Sequence, residues 1–334
     1  MYWRILPHAV VALALTVGLA APAHGAPSLA EIQAKVRLLE EEATTAAEGA
    51  QEAKVKLIAL TRTLNGIKAK AAVQGETLSA LQKSLGTIAI EQYKAGGLGQ
   101  SLELLFSSNP TLYLSSAGAL DAISRRKSAQ LRKYEAAQQR LSATTLTVND
   151  KLALVIAAEK KFKAQSAMAQ EKLAQAEALL SKLTKAERER LAKLAEQEED
   201  ADQATSQAAA RALSGISGRA GVAIKYALKQ IGDRYVFGAA GLVTWDCSGL
   251  TMRAYQAAGV SLPHSSAAQS RLGKQVSVKA LKPGDLLFYG RPVSHVGMYI
   301  GGGKMVHAPR SGSRVKITPS GSLGSKPLVG ARRF

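Results

Sequence analysis

Cysteine, aromatic and acidic residues are scarce in this chain, and each shortage limits the kinds of protein it can be. Its 334 residues include one cysteine, Cys247, so no disulfide can form within the chain. Aromatic residues make up only 5%, which argues against one large globular core over this length. Hydrophobic residues reach 46%, so the chain is not a disordered one. The length suggests about two domains.

Acidic residues are also few, with 25 Asp and Glu against 44 Lys and Arg, which gives a net charge of +19. Such a charge favours an anionic partner: nucleic acid, a membrane or a cell wall. The N-terminus narrows that choice. Arg4 precedes an apolar stretch over His8–Ala21, and small residues follow over 21–26. Because the apolar stretch is shorter than the roughly 20 residues that span a bilayer, residues 1–26 are predicted to be a secretory signal peptide rather than an anchor. An exported protein is not expected to bind nucleic acid.

The next region has the heptad spacing of a coiled coil. Seventeen of eighteen positions spaced alternately by three and four residues from Leu29 to Ile88 are apolar, the exception being Gln74. Glycines 96, 97 and 99 interrupt the pattern, and a second helical run is predicted from about Ala119 to Ala212. Its seam has one apolar column, at positions 134, 141, 148, 155, 162, 169, 176 and 183, and a more polar companion with Thr145, Glu159, Ser166 and Glu187. An antiparallel helical hairpin satisfies both runs, with pairing between molecules as the alternative.

The composition changes after Gly215, where glycine, proline, β-branched and aromatic residues occur together. We predict a signal peptide at 1–26, a coiled-coil hairpin at 27–212 with its tip near 96–118, a linker at 213–218 and a second domain at 219–334. The hairpin is either a passive stalk or a partner-binding lever with its docking tip at 102–114. The second domain is predicted to be α+β, with helices at 222–231 and 246–258 before a mostly antiparallel sheet. Its predicted strands are 286–289, 295–300, 305–307 and 315–317.

Cys247 lies near the N-terminus of the helix predicted at 246–258, whose stretch Leu250–Ala258 follows it. A helix N-terminus favours thiolate over thiol, which makes Cys247 a candidate nucleophile, although a buried structural thiol is the alternative. A nucleophilic thiol needs a base and an orienting group, and a hairpin of strands would bring His295 and His307 side by side for those roles. His264 is a third candidate, placed as a helix cap or cleft rim. A zinc site built from one cysteine and two histidines is the rival interpretation, although no close-spaced ligand pair is present.

Three ordered motifs resemble the NlpC/p60 cysteine peptidases: Asp246-Cys247-Ser248-Gly249-Leu250, the segment 281–286 (Leu-Lys-Pro-Gly-Asp-Leu) and the segment 295–301 (His-Val-Gly-Met-Tyr-Ile-Gly). The resemblance covers about 215–334. It implies a papain-like α+β fold that hydrolyses peptidoglycan stem peptides without a cofactor, typically between D-glutamate and diaminopimelate or lysine. By position it implies Cys247 as nucleophile, His295 as base and His307 as its orienter.

The same resemblance implies that Tyr235 supports the oxyanion site and that Asp246 and Ser248 line the substrate groove. The sequence departs from the family in the segment 235–241 (Tyr-Val-Phe-Gly-Ala-Ala-Gly), where the family often has adjacent glycines, and at His264, where an arginine is common. Both departures lie near the groove and concern substrate preference. An N-acetylmuramoyl-L-alanine amidase with similar chemistry is an alternative activity, and a non-catalytic wall scaffold that recruits another hydrolase is an alternative of a different class.

The N-terminal half resembles the coiled-coil regulators of RipA-type and PcsB-type hydrolases. That resemblance implies cell separation and docking of the tip on a division-associated ABC-transporter complex in the membrane. We also expect the hairpin to restrain the cleft until a partner engages the tip. Residues 215–334 hold 17 Lys and Arg against three Asp, so most of the positive charge belongs to the predicted catalytic domain. Peptidoglycan and anionic wall polymers are therefore the expected partners of a secreted, wall-associated protein.

Overall fold

The computed structural model describes residues 28–94, 110–213 and 215–334. Two long helices, α1 (Leu29–Lys94) and α2 (Pro110–Ser181), pack side by side. They run antiparallel, because Lys172 pairs with Glu42 at 2.7 Å near one end and Lys127 reaches Gln92 at 2.9 Å near the other. All eighteen predicted seam positions of α1 are buried or half-buried. The predicted heptad seam and the antiparallel pairing are thus confirmed in the described part of the chain.

The second helical run differs from its prediction in two ways. It starts at Pro110 rather than near Ala119, and it stops at Ser181 before a separate helix α3 (Lys185–Arg211). Thr184 caps α3 by accepting from the Glu187 N–H, while the Glu187 carboxylate accepts from the Thr184 N–H at 2.9 Å. This reciprocal capping box starts a new helix where a continuous one was predicted.

The second, more polar column of seam positions predicted for α2 differs from the structure by one residue. Thr145 and Glu159 are exposed, whereas Thr144 and Ala158 are buried. At Leu141 and Val155 the buried companion therefore lies three residues later, not four, whereas the predicted companion Ser166 is half-buried. The predicted signal peptide lies outside the described residues. So do residues 96–109 of the predicted tip, which include most of the predicted docking segment 102–114. Among the described helices, none is both long enough and apolar enough to cross a membrane.

The C-terminal part is an antiparallel sheet with helices packed against it, which confirms the α+β prediction. Its helices are α4 (Gly218–Leu228), α5 (Cys247–Ala257) and α6 (Ser266–Gln269). Strands β1 (Arg234–Tyr235) and β2 (Thr244–Trp245) pair in parallel apart from the main sheet. The main sheet has the order β3-β9-β4-β5-β6-β7, with β8 paired to β9. Its strands are β3 (Lys274–Val276), β4 (Leu286–Tyr289), β5 (His295–Gly301), β6 (Lys304–His307), β7 (Lys316–Pro319), β8 (Ser322–Leu323) and β9 (Lys326–Arg333).

Strands β4, β5 and β6 occupy the predicted segments, and β7 begins one residue later than predicted. Strand β9 was not predicted, although it lies inside the sheet between β3 and β4. Pro327 and Gly330 both weaken a strand pattern, so β9 depends on its two partner strands rather than on local preference.

The core lies between the sheet and helices α4 and α5. Leu250 and Tyr255 of α5 are buried against Phe288, Val296 and Met298 of the sheet. Each such side chain contributes about 1.5–3 kcal/mol when fully buried. This packing fixes the start of α5 over β5, where the candidate nucleophile and base are found.

Helix α3 fastens the helical region to the sheet. Lys316 of β7 contacts Glu199 at 2.9 Å and Asp202 at 2.6 Å, and the Ile317 N–H donates to the Ser206 hydroxyl at 2.8 Å. The acidic run at the end of the helical region thus covers the edge strand β7. Without this cover, the free edge of β7 would expose backbone donors.

Candidate active site

Cys247 is the first residue of α5, as the sequence predicted, and its side chain is fully buried. Asp246 caps the helix by accepting from the Gly249 N–H at 2.6 Å. A side chain at Gly249 would not fit, since a Cβ there would lie 2.3 Å from the Ala239 carbonyl oxygen. The sequence Asp-Cys-Ser-Gly therefore combines a cap, the thiol and the close approach of a neighbouring loop.

His295 begins β5 and His307 ends β6, and the pairing of these strands brings the two rings together. The His295 Nε2 and His307 Nδ1 atoms lie 2.8 Å apart, and the rings are nearly perpendicular at 89°. Gly297 permits this close packing, because a Cβ there would lie 2.5 Å from the Met305 sulfur. The predicted side-by-side histidines are thus present. The zinc interpretation is not favoured by this arrangement, since the two rings bond to each other.

Thr318 of β7 extends the pair into a chain of three groups. Its hydroxyl lies 3.1 Å from His307 Nε2. For His295 Nε2–H to donate to His307 Nδ1, the proton of His307 must sit on Nε2, from which it donates to Thr318 Oγ1. Thr318 Oγ1 is thus the acceptor that satisfies His307 in the tautomer that orients His295. Thr318 was not among the predicted site residues, because the strand pattern of β7 alone does not distinguish it.

Burial sets the charge of the two histidines. It lowers the pKa of His295 well below its usual value, and the neighbouring His307 and Lys326 add to the effect. Burial and the charge of Lys316 lower the pKa of His307 to about 3. Both rings are therefore neutral near pH 7 in this arrangement.

The expectation that the helix N-terminus would lower the pKa of Cys247 is wrong for this arrangement. Burial raises the pKa of Cys247 well above its usual value, and the carboxylates of Glu48 and Asp246 raise it further. The backbone N–H of Val296 opposes them but does not reverse the direction. Cys247 is thus held as a thiol.

After burial, the largest contribution to this shift in the pKa of Cys247 comes from Glu48, a residue of α1 that enters the site and was not among the predicted site residues. The Cys247 thiol donates to Glu48 Oε1 at 3.1 Å, and Ser248 Oγ donates to the same oxygen at 2.9 Å. Within the described chain, the buried His295 Nδ1 has no hydrogen-bond partner. The nucleophile is therefore bonded to a carboxylate from the helical hairpin instead of to its base.

The predicted groove residues surround the same point. Tyr235 is buried, and no partner for its hydroxyl is found among the described residues. Ser248 Oγ lies between Glu48 and Asp246, 3.2 Å from the latter. Asp246 is itself fully buried and contacts His264 Nε2 at 2.8 Å. Although burial lowers the pKa of His264, the hydrogen bond and charge of Asp246 leave it raised overall.

Comparison with known proteins finds matches for the part of the chain that carries this site. Residues 232–333 match the model of the "NlpC/P60 family". The chain is 42% identical over 120 residues to a "Probable endopeptidase" of Mycobacterium tuberculosis, which covers 36% of this chain and 31% of the relative. It is 36% identical over 120 residues to the "Peptidoglycan endopeptidase RipA" of Mycolicibacterium smegmatis, covering 32% of this chain and 24% of the relative.

Two solved structures are also similar to part of this chain. An NlpC/P60 family protein from Bacillus cereus is similar with 34% identity and a TM-score of 0.34, covering 36% of this chain and 41% of that one. The NlpC/p60 domain of the peptidoglycan hydrolase SagA is similar with 33% identity and a TM-score of 0.32, covering 34% of this chain and 98% of that one. The chain spans less than a third of the length of the two curated endopeptidases named above. The family model matches only the sheet-containing part of the chain.

Proposed function

Because residues 232–333 form an NlpC/P60 domain, we propose that this chain is a secreted cysteine peptidase of peptidoglycan. It cleaves a stem-peptide bond, D-glutamate to diaminopimelate or lysine, in wall remodelling or cell separation. The observation that carries the proposal is the buried His295–His307 pair, joined at 2.8 Å, on the strands that pack beneath Cys247. The printed names of the relatives, endopeptidase and peptidoglycan endopeptidase, support the substrate class.

The first half of the reaction forms an acyl-enzyme. His295 Nδ1 takes the thiol proton of Cys247, and the thiolate sulfur attacks the peptide carbonyl carbon. The oxyanion accepts from the Cys247 backbone N–H and from the hydroxyl of the buried Tyr235. The His295 imidazolium then donates its proton to the leaving amine as the C–N bond breaks, which leaves a thioester.

The second half returns the enzyme to its starting state. His295 takes a proton from a water molecule, whose oxygen attacks the thioester carbon. The C–S bond breaks, the carboxylate product leaves, and the proton on His295 returns to the Cys247 sulfur. His307 accepts from His295 Nε2–H throughout, while Asp246 holds the first turn of α5 and so the position of the thiol.

Wall polymers are the proposed partners of the basic surface. Between residues 215 and 334 there are 17 Lys and Arg but only three Asp, so a polymer rich in carboxylates or phosphates would concentrate the enzyme on its substrate. A membrane transporter complex that engages the hairpin tip stays a proposal, since the tip lies largely outside the described residues.

Digestion of purified sacculi, followed by mass spectrometry of the products, tests the proposal. Because Glu48 covers the thiol, the mature chain is compared with its Glu48→Gln variant, each with and without Cys247→Ala. We expect Cys247-dependent fragments with a new amine on diaminopimelate or lysine. A free L-alanine amine with bare glycan would instead identify an amidase. Equal release of fragments with and without Cys247→Ala would exclude a peptidase that uses this thiol. The non-catalytic wall scaffold would then be the remaining function.

A further inference from the structure

Glu48 is placed unlike any other acidic residue described on the hairpin. It is 1% exposed, and both of its carboxylate oxygens are saturated by donors. Oε1 accepts from Cys247 Sγ at 3.1 Å and Ser248 Oγ at 2.9 Å. Oε2 accepts from the Ser266 backbone N–H at 3.0 Å and from Ser266 Oγ at 2.7 Å. Each carboxylate oxygen of Glu48 thus has two hydrogen-bond donors within reach.

All four donors belong to the NlpC/P60 domain and none to the hairpin. The Ser266 backbone N–H can only donate, whereas the two hydroxyls and the thiol can donate or accept. A carboxylate can accept from all four groups at once, whereas a carboxamide has one oxygen and would present its N–H₂ group to one of the two pairs of donors. The site is consequently selective for a carboxylate, and the thiol of the nucleophile is one of its four donors.

The rest of α1 is fitted to the same surface. One turn and two turns away, Glu52 contacts Arg271 at 3.1 Å and Glu40 contacts Arg310 at 3.4 Å. Glu41 accepts from the Ser325 hydroxyl at 3.0 Å. The acidic side chains thus follow one face of the helix and meet a basic domain, so the placement of Glu48 is part of a complementary interface.

Small side chains let the helix come close enough for Glu48 to reach the thiol. Ala46 and Ala47 of α1 are buried with Ala169 of α2, and Phe237 of the catalytic domain packs against them. Larger residues here would hold α1 away from the cleft. The same alanines that form the hairpin seam therefore also allow the domain contact.

We propose that Glu48 is a built-in carboxylate ligand that locks the peptidase in a latent state. It occupies the donors that receive a carboxylate of the stem peptide, and substrate enters only after α1 leaves the cleft. The inhibition of peptidase activity rests on the proposed function, but the shielding of Cys247 does not. This makes the expected restraint by the hairpin specific: one side chain, four hydrogen bonds and a defined class of competing ligand.

The lock is tested on the full mature chain by the reactivity of its single thiol. Iodoacetamide alkylation of Cys247 is followed by intact mass at neutral pH, with Cys247→Ser as the blank. Removing one partner of a buried, charge-assisted set weakens the closed state by at least about tenfold. We therefore expect Glu48→Gln and Glu48→Ala to raise the alkylation rate at least about tenfold over wild type. Glu76→Gln, an exposed position on the same helix, should match wild type.

Wild type reacting as fast as the Glu48 variants, or folded variants reacting as slowly as wild type, would overturn the lock. Thermal melts establish that each variant is folded at the assay temperature. If both Glu48 variants melt below the assay temperature, Ser266→Ala replaces them in the test. This variant removes one donor to Glu48 Oε2, so it should also speed the alkylation of Cys247.

The sacculus digestion separates this proposal from the proposed function. Faster alkylation of Glu48→Gln without any stem-peptide release would leave the lock standing and refute the peptidase. Equal alkylation and equal fragment release by wild type and Glu48→Gln would leave the peptidase standing and refute the lock.

Discussion

Thr318 offers a sharp test of how the histidine pair is oriented. Thr318→Val keeps the shape of the side chain and removes the hydroxyl that lies 3.1 Å from His307 Nε2. Without that acceptor, His307 Nε2–H loses its partner and the other tautomer is favoured. That tautomer carries its proton on Nδ1, where it opposes the Nε2–H of His295. The variant should therefore weaken the imidazolium form of His295 on which both proton transfers depend.

The expected magnitude follows from one hydrogen bond between a neutral hydroxyl and a ring N–H. Such a bond contributes about 0.5–1.5 kcal/mol, and an unsatisfied buried donor costs about 1–3 kcal/mol. We expect kcat to fall by about 5- to 50-fold with little change in KM, since Thr318 lies behind the histidines rather than in the cleft. The acid limb of the kcat profile should move to lower pH, because the pKa of His295 falls when its acceptor is lost.

The assay uses defined muropeptides in the Glu48→Gln background, where the thiol is accessible. Thr318→Ser is the matched control, since it restores the hydroxyl with one methyl group fewer and should recover most of kcat. Equal rates for wild type and Thr318→Val would refute the tautomer argument. Equal losses in the Val and Ser variants would assign the effect to packing instead of to the hydrogen bond.

Three further predictions concern stability, pH and salt. Gly249→Ala should lower the free energy of unfolding in urea by about 1–3 kcal/mol, because its Cβ would lie 2.3 Å from the Ala239 carbonyl oxygen. Gly66→Ala, with open space around it, is the control and should be neutral or stabilising. Burial, and secondarily Asp246, raise the pKa of Glu48, so the closed state binds a proton more tightly than the open one. Alkylation of Cys247, corrected for its thiolate fraction, should thus rise with pH above the usual pKa of Glu, and Glu48→Gln should abolish that rise. Sacculus binding, measured by pelleting, should weaken as salt screens the basic domain, and a salt-independent affinity would contradict the electrostatic argument.

The parts of the fold that the sequence predicted are those set by local patterns. The heptad seam of α1 repeats over its whole length, so each residue reports on the same helix face. Cys247, His295 and His307 lie in short motifs whose strand and helix positions are readable without the rest of the chain. The break before α3 was also readable, since Thr184 and Glu187 form a capping box, but the apolar Leu183 kept the heptad pattern running past it.

Other features depend on partners far away in the sequence. Strand β9 carries Pro327 and Gly330 and is held by β3 and β4, so its own residues predict it poorly. The charge of Cys247 could not be predicted from its helix, because the groups that raise its pKa include a carboxylate 199 residues away. A glutamate on a long helix is solvated by default, and only the docking of α1 on the basic domain buries this one.

The energetics of that burial fit a reversible lock better than a permanent seal. Moving a carboxylate out of water costs several kcal/mol, which the hydrogen bonds to Glu48 and the partly exposed ion pairs beside it must offset, so a buried charge set of this kind is weak evidence for net stability. Breaking a single bond would leave a buried charge underpaired, so the contact is selective in geometry but modest in net strength. A partner that bends or pulls α1 therefore needs to supply only a small free energy to expose Cys247, and once Glu48 is hydrated in the open state, the vacated donors of Ser248 and Ser266 are available to substrate.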